Sequence, residues 1–353
     1  MLNLNEPRDT AMVDVGAALA APVTSGESRT LRRRFRWRLS VAGVALLMGS
    51  FCVAQSAPSS APVTFSIHDF TPDFWRFWEA AQNQPVEQQA QLWQQLYVSR
   101  HQAVFDDLAM PCKDQWDAAW SRTHYLPNLP KLVPAIRSLV ADLPRQLEEA
   151  NERFLKTFPD MQWSGDIYVM ASGYCFTGRS QVIQGRGALL FGVDGIASFG
   201  KQNLIPDLQH ELFHRYHREF FDYEPSSAYP LWTTLWAEGM ATHVSELLNP
   251  SASAIDLSQV PLGMVRQVND RRGQLATDFL RRFESTAEKD ATLYFNDINS
   301  KDALVPARGG YQLGALVVRD LSKEYSLRTM AHWSRKEAKP RIRAALKRIS
   351  GTP

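Results

Sequence analysis

The stretch HELFH, residues 210–214, constrains the fold of this chain more than any other feature of its sequence. It lies within LQHELFHRYHREF, a segment whose pattern predicts a helix. Residues four apart on a helix share one face, so His210 and His214 can both reach a single ion at about 2.0–2.1 Å. Glu211 points about 100° round the helix from His210, beside such an ion rather than onto it. This spacing predicts a zinc site that needs a further ligand from elsewhere in the chain.

Two residues compete for the place of the third ligand. His217 falls on the same helix face, but the helical rise sets it about 10.5 Å along the axis from His210, too far to share one ion. His217 is therefore predicted to lie at a cleft rim or on the surface. Glu238, in LWAEGMATHVSELL, falls on a second predicted helix, and the 23 residues after His214 allow that helix to return antiparallel past the first. Gly239 predicts close helix packing at this point, because glycine costs about 1 kcal/mol in a helix interior.

HELFH followed by WAEGMATH resembles the gluzincin metallopeptidases, in which a glutamate in an E-G-x-A setting is the third zinc ligand. Glu238, Gly239 and Ala241 match that setting. Over residues 66–325 the chain is also similar to a bacterial family of predicted zinc-dependent proteases, to which gliding-motility lipoproteins are related. The segments FTPDFWRFWEAAQ and GGYQLGALVVRDL carry this similarity. The resemblance implies an α+β, zincin-like fold, with a small mixed sheet packed on the HExxH helix and helical parts on either side.

The resemblance implies a zinc-dependent peptidase with one Zn²⁺ ion bound by His210, His214 and Glu238. Two histidines and one glutamate leave a fourth position open, which is typical of catalytic rather than structural zinc sites. Glu211 is the expected general base, taking a proton from a metal-activated water and giving it to the leaving amine. The alternative function is a non-catalytic envelope protein that uses a zincin scaffold for binding or assembly.

A second donor to the developing oxyanion is usual in such sites. The resemblance suggests Tyr311, in the glycine-tyrosine segment, for this role, and Arg308 is a less favoured substitute. The alternative for Tyr311 is a core aromatic side chain at the start of a helix.

A peptide or protein substrate is expected to pair with an edge strand through backbone hydrogen bonds. The segment ALLFG, residues 188–192, is the candidate edge strand, with Ala188, Leu189 and Leu190 as candidate substrate-binding residues. An interior strand of the same sheet fits the composition of this segment equally well.

Helical and strand patterns follow one another in three blocks. Helical patterns dominate residues 66–160, with a break expected near Pro144. Glycine and β-forming residues then predict strands near 166–170, 180–184 and 188–193. Residues 66–353 are therefore predicted to form one domain in which helices flank a small sheet. Later helices are expected over the ranges 232–248, 273–288, 311–325 and 338–349.

The N-terminal segment is typical of an export signal. Arginines precede an apolar run from about Leu39 to Ala54, and small residues follow it. Residues 1–57 are predicted to be the leader and signal peptide and residues 58–65 a linker, which places the protein in the periplasm or outside the cell. An uncleaved anchor in the inner membrane is the alternative. In an oxidising compartment Cys112 and Cys175 are candidates for a disulfide, and two separate buried thiols fit the sequence equally well.

The charge balance argues against a nucleic-acid partner. The formal net charge is +2, but residues 1–57 hold seven arginines and only four acidic residues. The remaining chain, with 32 basic and 33 acidic residues, is nearly neutral and gains no electrostatic attraction to nucleic acid. No apolar run after residue 57 approaches the roughly 20 residues of a spanning helix, so membrane contact is expected only through the N-terminal segment. The sequence gives no indication of the oligomeric state.

Overall fold

Four strands form one mixed sheet in the computed structural model, which describes residues 64–108, 118–222, 229–257, 263–296 and 300–351. The strands are β1 (Phe65–Asp69), β2 (Gly165–Met170), β3 (Gly178–Ile183) and β4 (Arg186–Gly192). Their order in the sheet is β1-β2-β4-β3; β2 runs parallel to β1 and β4, and β3 runs antiparallel to β4. The three predicted strands are confirmed. β1 is an additional strand that the sequence does not predict, and it begins at the last residue of the predicted linker.

β4 lies in the interior of the sheet, so the prediction that it is an edge strand is wrong. Ala188, Leu189 and Leu190 are completely buried, with β2 on one side and β3 on the other. The cause is a tight turn at Gln184 and Gly185, both with positive φ, which folds β3 back along β4. The three residues therefore have no free backbone edge to offer a substrate, and β3 is the edge strand at this side of the described sheet.

The N-terminal part is helical, as predicted. It contains α1 (Thr71–Ala81), α2 (Val86–Leu96), a 3₁₀ turn (Val98–His101), α3 (Gln102–Asp107), α4 (Ala118–Trp120), a π-helical turn (Ser121–Tyr125), α5 (Leu129–Val140) and α6 (Leu143–Thr157). The predicted break near Pro144 is confirmed by the gap between α5 and α6. Pro144 lies in the first turn of α6, where the missing N–H has no partner to lose within the helix.

The rest of the described chain is mainly helical. It contains α7 (Val193–Ser198), α8 (Ile205–Phe220), α9 (Leu231–Leu248), α10 (Ala254–Leu257), α11 (Met264–Arg282), α12 (Glu288–Ala291), α13 (Gly309–Leu321), α14 (Leu327–Ala331) and α15 (Arg335–Ser350). The predicted helices that correspond to α9, α13 and α15 are confirmed. The helix predicted over 273–288 is confirmed only for residues 273–282, because α11 begins and ends earlier than predicted and Gly273 lies inside it. Within the described ranges, no helix combines the length and apolar character needed to cross a bilayer.

Helix α8 lies at the centre of the molecule. It contacts β3 and β4 of the sheet, α6 and α9, while α9 packs against α13, and α13 packs against α11 and α15. One cluster of buried apolar side chains extends through these layers from Phe70 to Leu346. The predicted α+β class is confirmed. Because α8 is covered on several sides, most of its polar side chains before Arg218 are buried or partly buried and need polar partners.

Two buried carboxylates, Asp207 in α8 and Asp290 in α12, show how the fold supplies polar partners to buried groups. Lys201 Nζ donates to Asp207 Oδ1 at 2.6 Å in the first turn of α8, and each side chain is only 3% exposed. Asp290 in α12 accepts hydrogen bonds from the Ser285 hydroxyl and from Arg282. The Ser285 hydroxyl, followed by Arg282, holds the pKa of Asp290 below its ordinary value.

Candidate metal centre

His210, His214 and Glu238 meet in one buried cluster between α8 and α9. His210 Nε2 lies 3.1 Å from His214 Nε2 and 3.2 Å from Glu238 Oε2. His214 Nε2 lies 3.4 Å from the same carboxylate oxygen. All three side chains are less than 10% exposed. Among the described residues, this is the one group of three or more His, Cys, Asp or Glu side chains that could hold a metal ion.

The spacing of these three atoms fits a tetrahedral zinc ion. Ligands about 2.0–2.1 Å from zinc in a tetrahedral site are separated from one another by about 3.3–3.4 Å. The three observed separations, 3.1, 3.2 and 3.4 Å, therefore outline one face of such a tetrahedron. Two imidazoles and a carboxylate are also a donor set that zinc uses in catalytic sites.

The two helices bring the ligands together as the sequence predicts. His210 and His214 are one turn apart on α8, and Glu238 lies near the middle of α9. Ser245 Oγ, close to the end of α9, donates to the Pro206 carbonyl in the first turn of α8 at 2.8 Å. The end of α9 thus meets the start of α8, which confirms the predicted antiparallel return.

A glycine contact fixes the position of α9 against α13. A Cβ atom placed on Gly239 would lie 2.4 Å from the carbonyl carbon of Gly314, and one placed on Gly314 would lie 2.5 Å from the Leu235 carbonyl oxygen. Any side chain at either position would push the two helices apart. The close packing predicted from Gly239 is confirmed, and it places α13 next to the helix that carries Glu238.

Charge inside the cluster is strongly coupled. Burial opposes the charge of Glu238, but the imidazoles of His214 and His210 outweigh burial and hold the pKa of Glu238 well below its ordinary value. Burial likewise opposes an imidazolium at His214, and Glu238 reverses this effect and raises the pKa of His214. Protons and a metal ion therefore compete for the same atoms, because the imidazoles must be neutral to bind a metal.

Glu211 lies where the edge of the sheet approaches α8. A Cβ atom on Gly178, the first residue of β3, would lie 2.9 Å from Glu211 Cγ. Burial raises the pKa of Glu211, although the two histidines of the cluster act in the opposite direction. Gly178 is a site residue that sequence reasoning missed; a glycine two residues before the predicted strand at 180–184 is the signal that could have identified it.

Tyr311 also lies at the cluster, as the sequence predicts. Its ring centroid is 6.3 Å from that of His210, and burial raises the pKa of Tyr311 to about 12, so the phenol keeps its proton. Arg308 donates to the phenol oxygen at 2.6 Å. Because the oxygen accepts this hydrogen bond, the phenol O–H remains available as a donor in another direction.

The prediction for His217 is wrong, because this side chain is completely buried. Its ring packs against Phe213, Phe221 and Trp236 at centroid distances of 5.4, 4.8 and 6.5 Å. Burial lowers the pKa of His217 to about 3, so the ring is neutral. His217 lies outside the cluster of His210, His214 and Glu238, as its spacing along the helix predicts. The helix face that carries His217 is buried because α9 packs against it.

Cys175 lies in the loop between β2 and β3 and is disulfide-bonded. Its predicted partner, Cys112, lies outside the described residues, as do the leader and the residues of the linker before Thr64. The same loop is held by Asp194, whose carboxylate accepts from the backbone N–H of Ser172 at 2.7 Å and of Tyr174 at 3.0 Å. Asp194 thus holds the loop that leads into β3 through two hydrogen bonds.

No family model, curated protein or solved structure matches the chain in comparisons with known proteins.

Proposed function

We propose that this protein is an exported zinc-dependent peptidase of the gluzincin type. The observation that carries the proposal is the buried triangle formed by His210 Nε2, His214 Nε2 and Glu238 Oε2. Glu211 follows His210 on the same helix and interacts electrostatically with both histidines. Three protein ligands with an open fourth position are the arrangement of catalytic zinc sites. The disulfide at Cys175 accords with an oxidising compartment, which supports the export part of the proposal.

Each residue of the site has a defined role in this proposal. His210, His214 and Glu238 hold the zinc ion, which when bound lowers the pKa of a water toward about 7 and polarises a carbonyl group. Glu211 takes the proton of the attacking water and gives it to the leaving amine. The raised pKa of Glu211 suits a group that must both accept and return a proton. Tyr311 donates its O–H to the oxygen on which negative charge develops.

The substrate peptide pairs with β3 in this proposal, not with β4. β3 is the edge strand on the side of the sheet that reaches α8, and its first residue lies directly against Glu211. An extended peptide bonded to that edge would pass next to the base and the ligand cluster. The backbone of β3 supplies the affinity and leaves side-chain selectivity to other groups around the site.

The test replaces Glu211 with glutamine in the purified protein. Wild-type protein is expected to hold about one zinc per chain and to cleave members of a broad peptide library. Glu211→Gln is expected to keep the zinc and lose hydrolysis, because the amide cannot accept the proton. Glu79→Gln, at an exposed position of α1, is the matched control and should match wild type in both measurements.

The alternative is a non-catalytic protein built on the same scaffold, and the same experiment separates it from the enzyme. A wild-type protein that binds zinc and cleaves no peptide would favour the alternative. Full biological activity of Glu211→Gln would favour it as well.

A further inference from the structure

Arg308 occupies an unusual backbone position directly before α13. Its φ of 52° and ψ of 28° are left-handed, where the Cβ of an L-residue crowds the neighbouring carbonyl. Glycine or asparagine adopts this conformation more readily. A strained arginine is a reason to ask what its side chain does, because strain of this kind concentrates at functional sites.

The side chain of Arg308 points to the candidate metal centre. Its guanidinium carbon lies 4.4 Å from the centre of the Tyr311 ring, and one terminal nitrogen donates to the Tyr311 phenol oxygen at 2.6 Å. Its Nε donates to the Phe295 carbonyl oxygen at 3.2 Å. Tyr311 in turn faces His210. The guanidinium is therefore fixed in place beside the site, yet Arg308 is only partly buried and keeps access to solvent.

Arg308 forms no ion pair among the described residues. Its hydrogen bonds go to a carbonyl and a phenol, and no described carboxylate pairs with it. By contrast, Arg319, within α13, pairs with Glu246 at 2.5 Å. With a divalent cation bound, the carboxylates of Glu211 and Glu238 balance the cation. The charge of Arg308 then leaves the site with a net positive charge.

We infer that Arg308 determines specificity by binding a carboxylate of the substrate. A guanidinium presents a planar set of donors that matches a carboxylate, and such charge-assisted hydrogen bonds are the strong ones. The carboxylate is either the C-terminus of a peptide or an Asp or Glu side chain close to the scissile bond. This inference rests on the proposed function, since it assumes that a peptide occupies the site.

The test measures peptide binding to zinc-loaded Glu211→Gln protein, which keeps the site but does not turn peptides over. Four N-terminally labelled tetrapeptides are used: each combination of a C-terminal carboxylate or carboxamide with a Glu or Gln side chain. Replacing the recognised carboxylate by its amide is expected to weaken binding about 10- to 100-fold, the range for a hydrogen-bonded charged pair. The member of the set that loses affinity identifies the source of the carboxylate.

Variants at Arg308 assign this preference to its side chain. Arg308→Asn, in the same Glu211→Gln protein, removes the charge at a backbone position that asparagine tolerates. It should reduce the ratio of acid-peptide affinity to amide-peptide affinity to below about 3-fold. Arg308→Lys keeps the charge and should retain part of the preference. Arg266→Asn, at a fully solvent-facing position of α11, is the control and should leave the ratio unchanged. Zinc content and circular dichroism show that each variant is folded and loaded.

The outcomes separate this inference from the proposed function. Equal binding of acid and amide peptides, no binding of any peptide at about millimolar concentration, or a preference that survives Arg308→Asn would each overturn the role of Arg308. Hydrolysis of the same peptides by wild-type protein is measured in parallel. If the Arg308-dependent preference is found and no peptide is cleaved, the role of Arg308 stands and the proposed peptidase activity is contradicted. If peptides are cleaved without that preference, the peptidase activity stands and the role of Arg308 is contradicted.

Discussion

Gly239→Ala should impair the site far more than it impairs the fold. The new methyl group would lie 2.4 Å from the carbonyl carbon of Gly314, where ordinary contact begins at 3.4 Å. Both partners are helix backbone, so neither can swing away, and α9 and α13 must separate by about 1 Å. α13 carries Tyr311 and α9 carries Glu238, so the separation changes the distance between the proposed oxyanion donor and the proposed metal ligand.

Gly239→Ala has two opposing effects on the free energy of unfolding and one effect on the rate of hydrolysis. Overpacking costs about 1–3 kcal/mol, and alanine returns about 1 kcal/mol of helix propensity relative to glycine. The free energy of unfolding should therefore fall by about 0–2 kcal/mol. A displacement of about 1 Å in a catalytic group costs on the order of 100-fold in rate. Peptide hydrolysis should fall by about that factor while the zinc content stays near that of the wild type.

Urea unfolding followed by tryptophan fluorescence gives the stability, and initial rates on a cleaved peptide give the activity. Gly273→Ala is the matched control, since its Cβ would lie 3.6 Å from the Ser350 carbonyl oxygen, an ordinary contact inside another helix. This control should be neutral or more stable by up to about 1 kcal/mol, with unchanged activity. If Gly239→Ala retains full activity, the close contact between α9 and α13 does not position the site, and the reasoning is refuted.

Three further predictions concern single side chains. Tyr311→Phe should lower kcat for peptide hydrolysis about 10- to 1000-fold with zinc content unchanged, because the proposed donor to the oxyanion is removed together with the acceptor of the Arg308 hydrogen bond. An unchanged kcat would give Tyr311 a packing role alone. Lys201→Met should lower the free energy of unfolding by about 3–5 kcal/mol, because it leaves the buried Asp207 carboxylate without its ion pair. Lys323→Met, at an exposed ion pair, is the control and should change the free energy of unfolding by less than about 1 kcal/mol in the same urea titrations. Because the folded pKa of Asp290 lies below its unfolded value, its stabilising effect is complete above about pH 4 and is lost as the pH falls through the folded pKa. The stability difference between wild type and Asp290→Asn should accordingly shrink on acidification below about pH 4, and a difference that stays constant would contradict the assignment.

The cluster of His210, His214 and Glu238 could be predicted from the sequence because its geometry is mostly local. The spacing of His210 and His214 within one helix places both imidazoles on one face, and no tertiary information is needed for that step. Glu238 required one further step, the antiparallel return of α9, which a short connection permits. Gly239 signalled the close approach of another helix but not which helix, since its contact at Gly314 lies 75 residues further along the chain.

The sheet and the buried face of α8 could not be predicted in the same way. β4 is interior because β3 turns back along it, and the composition of a short apolar strand is the same at an edge and in the interior. β1 pairs with β2 across about 100 residues, a distance over which no periodic pattern carries information. The surface prediction for His217 failed because it considered one helix alone, while α9 and its aromatic side chains cover that face in the folded protein.

The zinc content of purified protein after dialysis against metal-free buffer tests the proposed metal centre most directly. Wild type and Glu211→Gln should each retain about one zinc per chain, and Glu238→Gln should lose at least about 10-fold in zinc affinity, measured by competition with a chelating dye. A wild-type protein that takes up no zinc in excess metal, or a Glu238→Gln variant that binds zinc as tightly as wild type, would contradict the claim that these two helices build a metal centre.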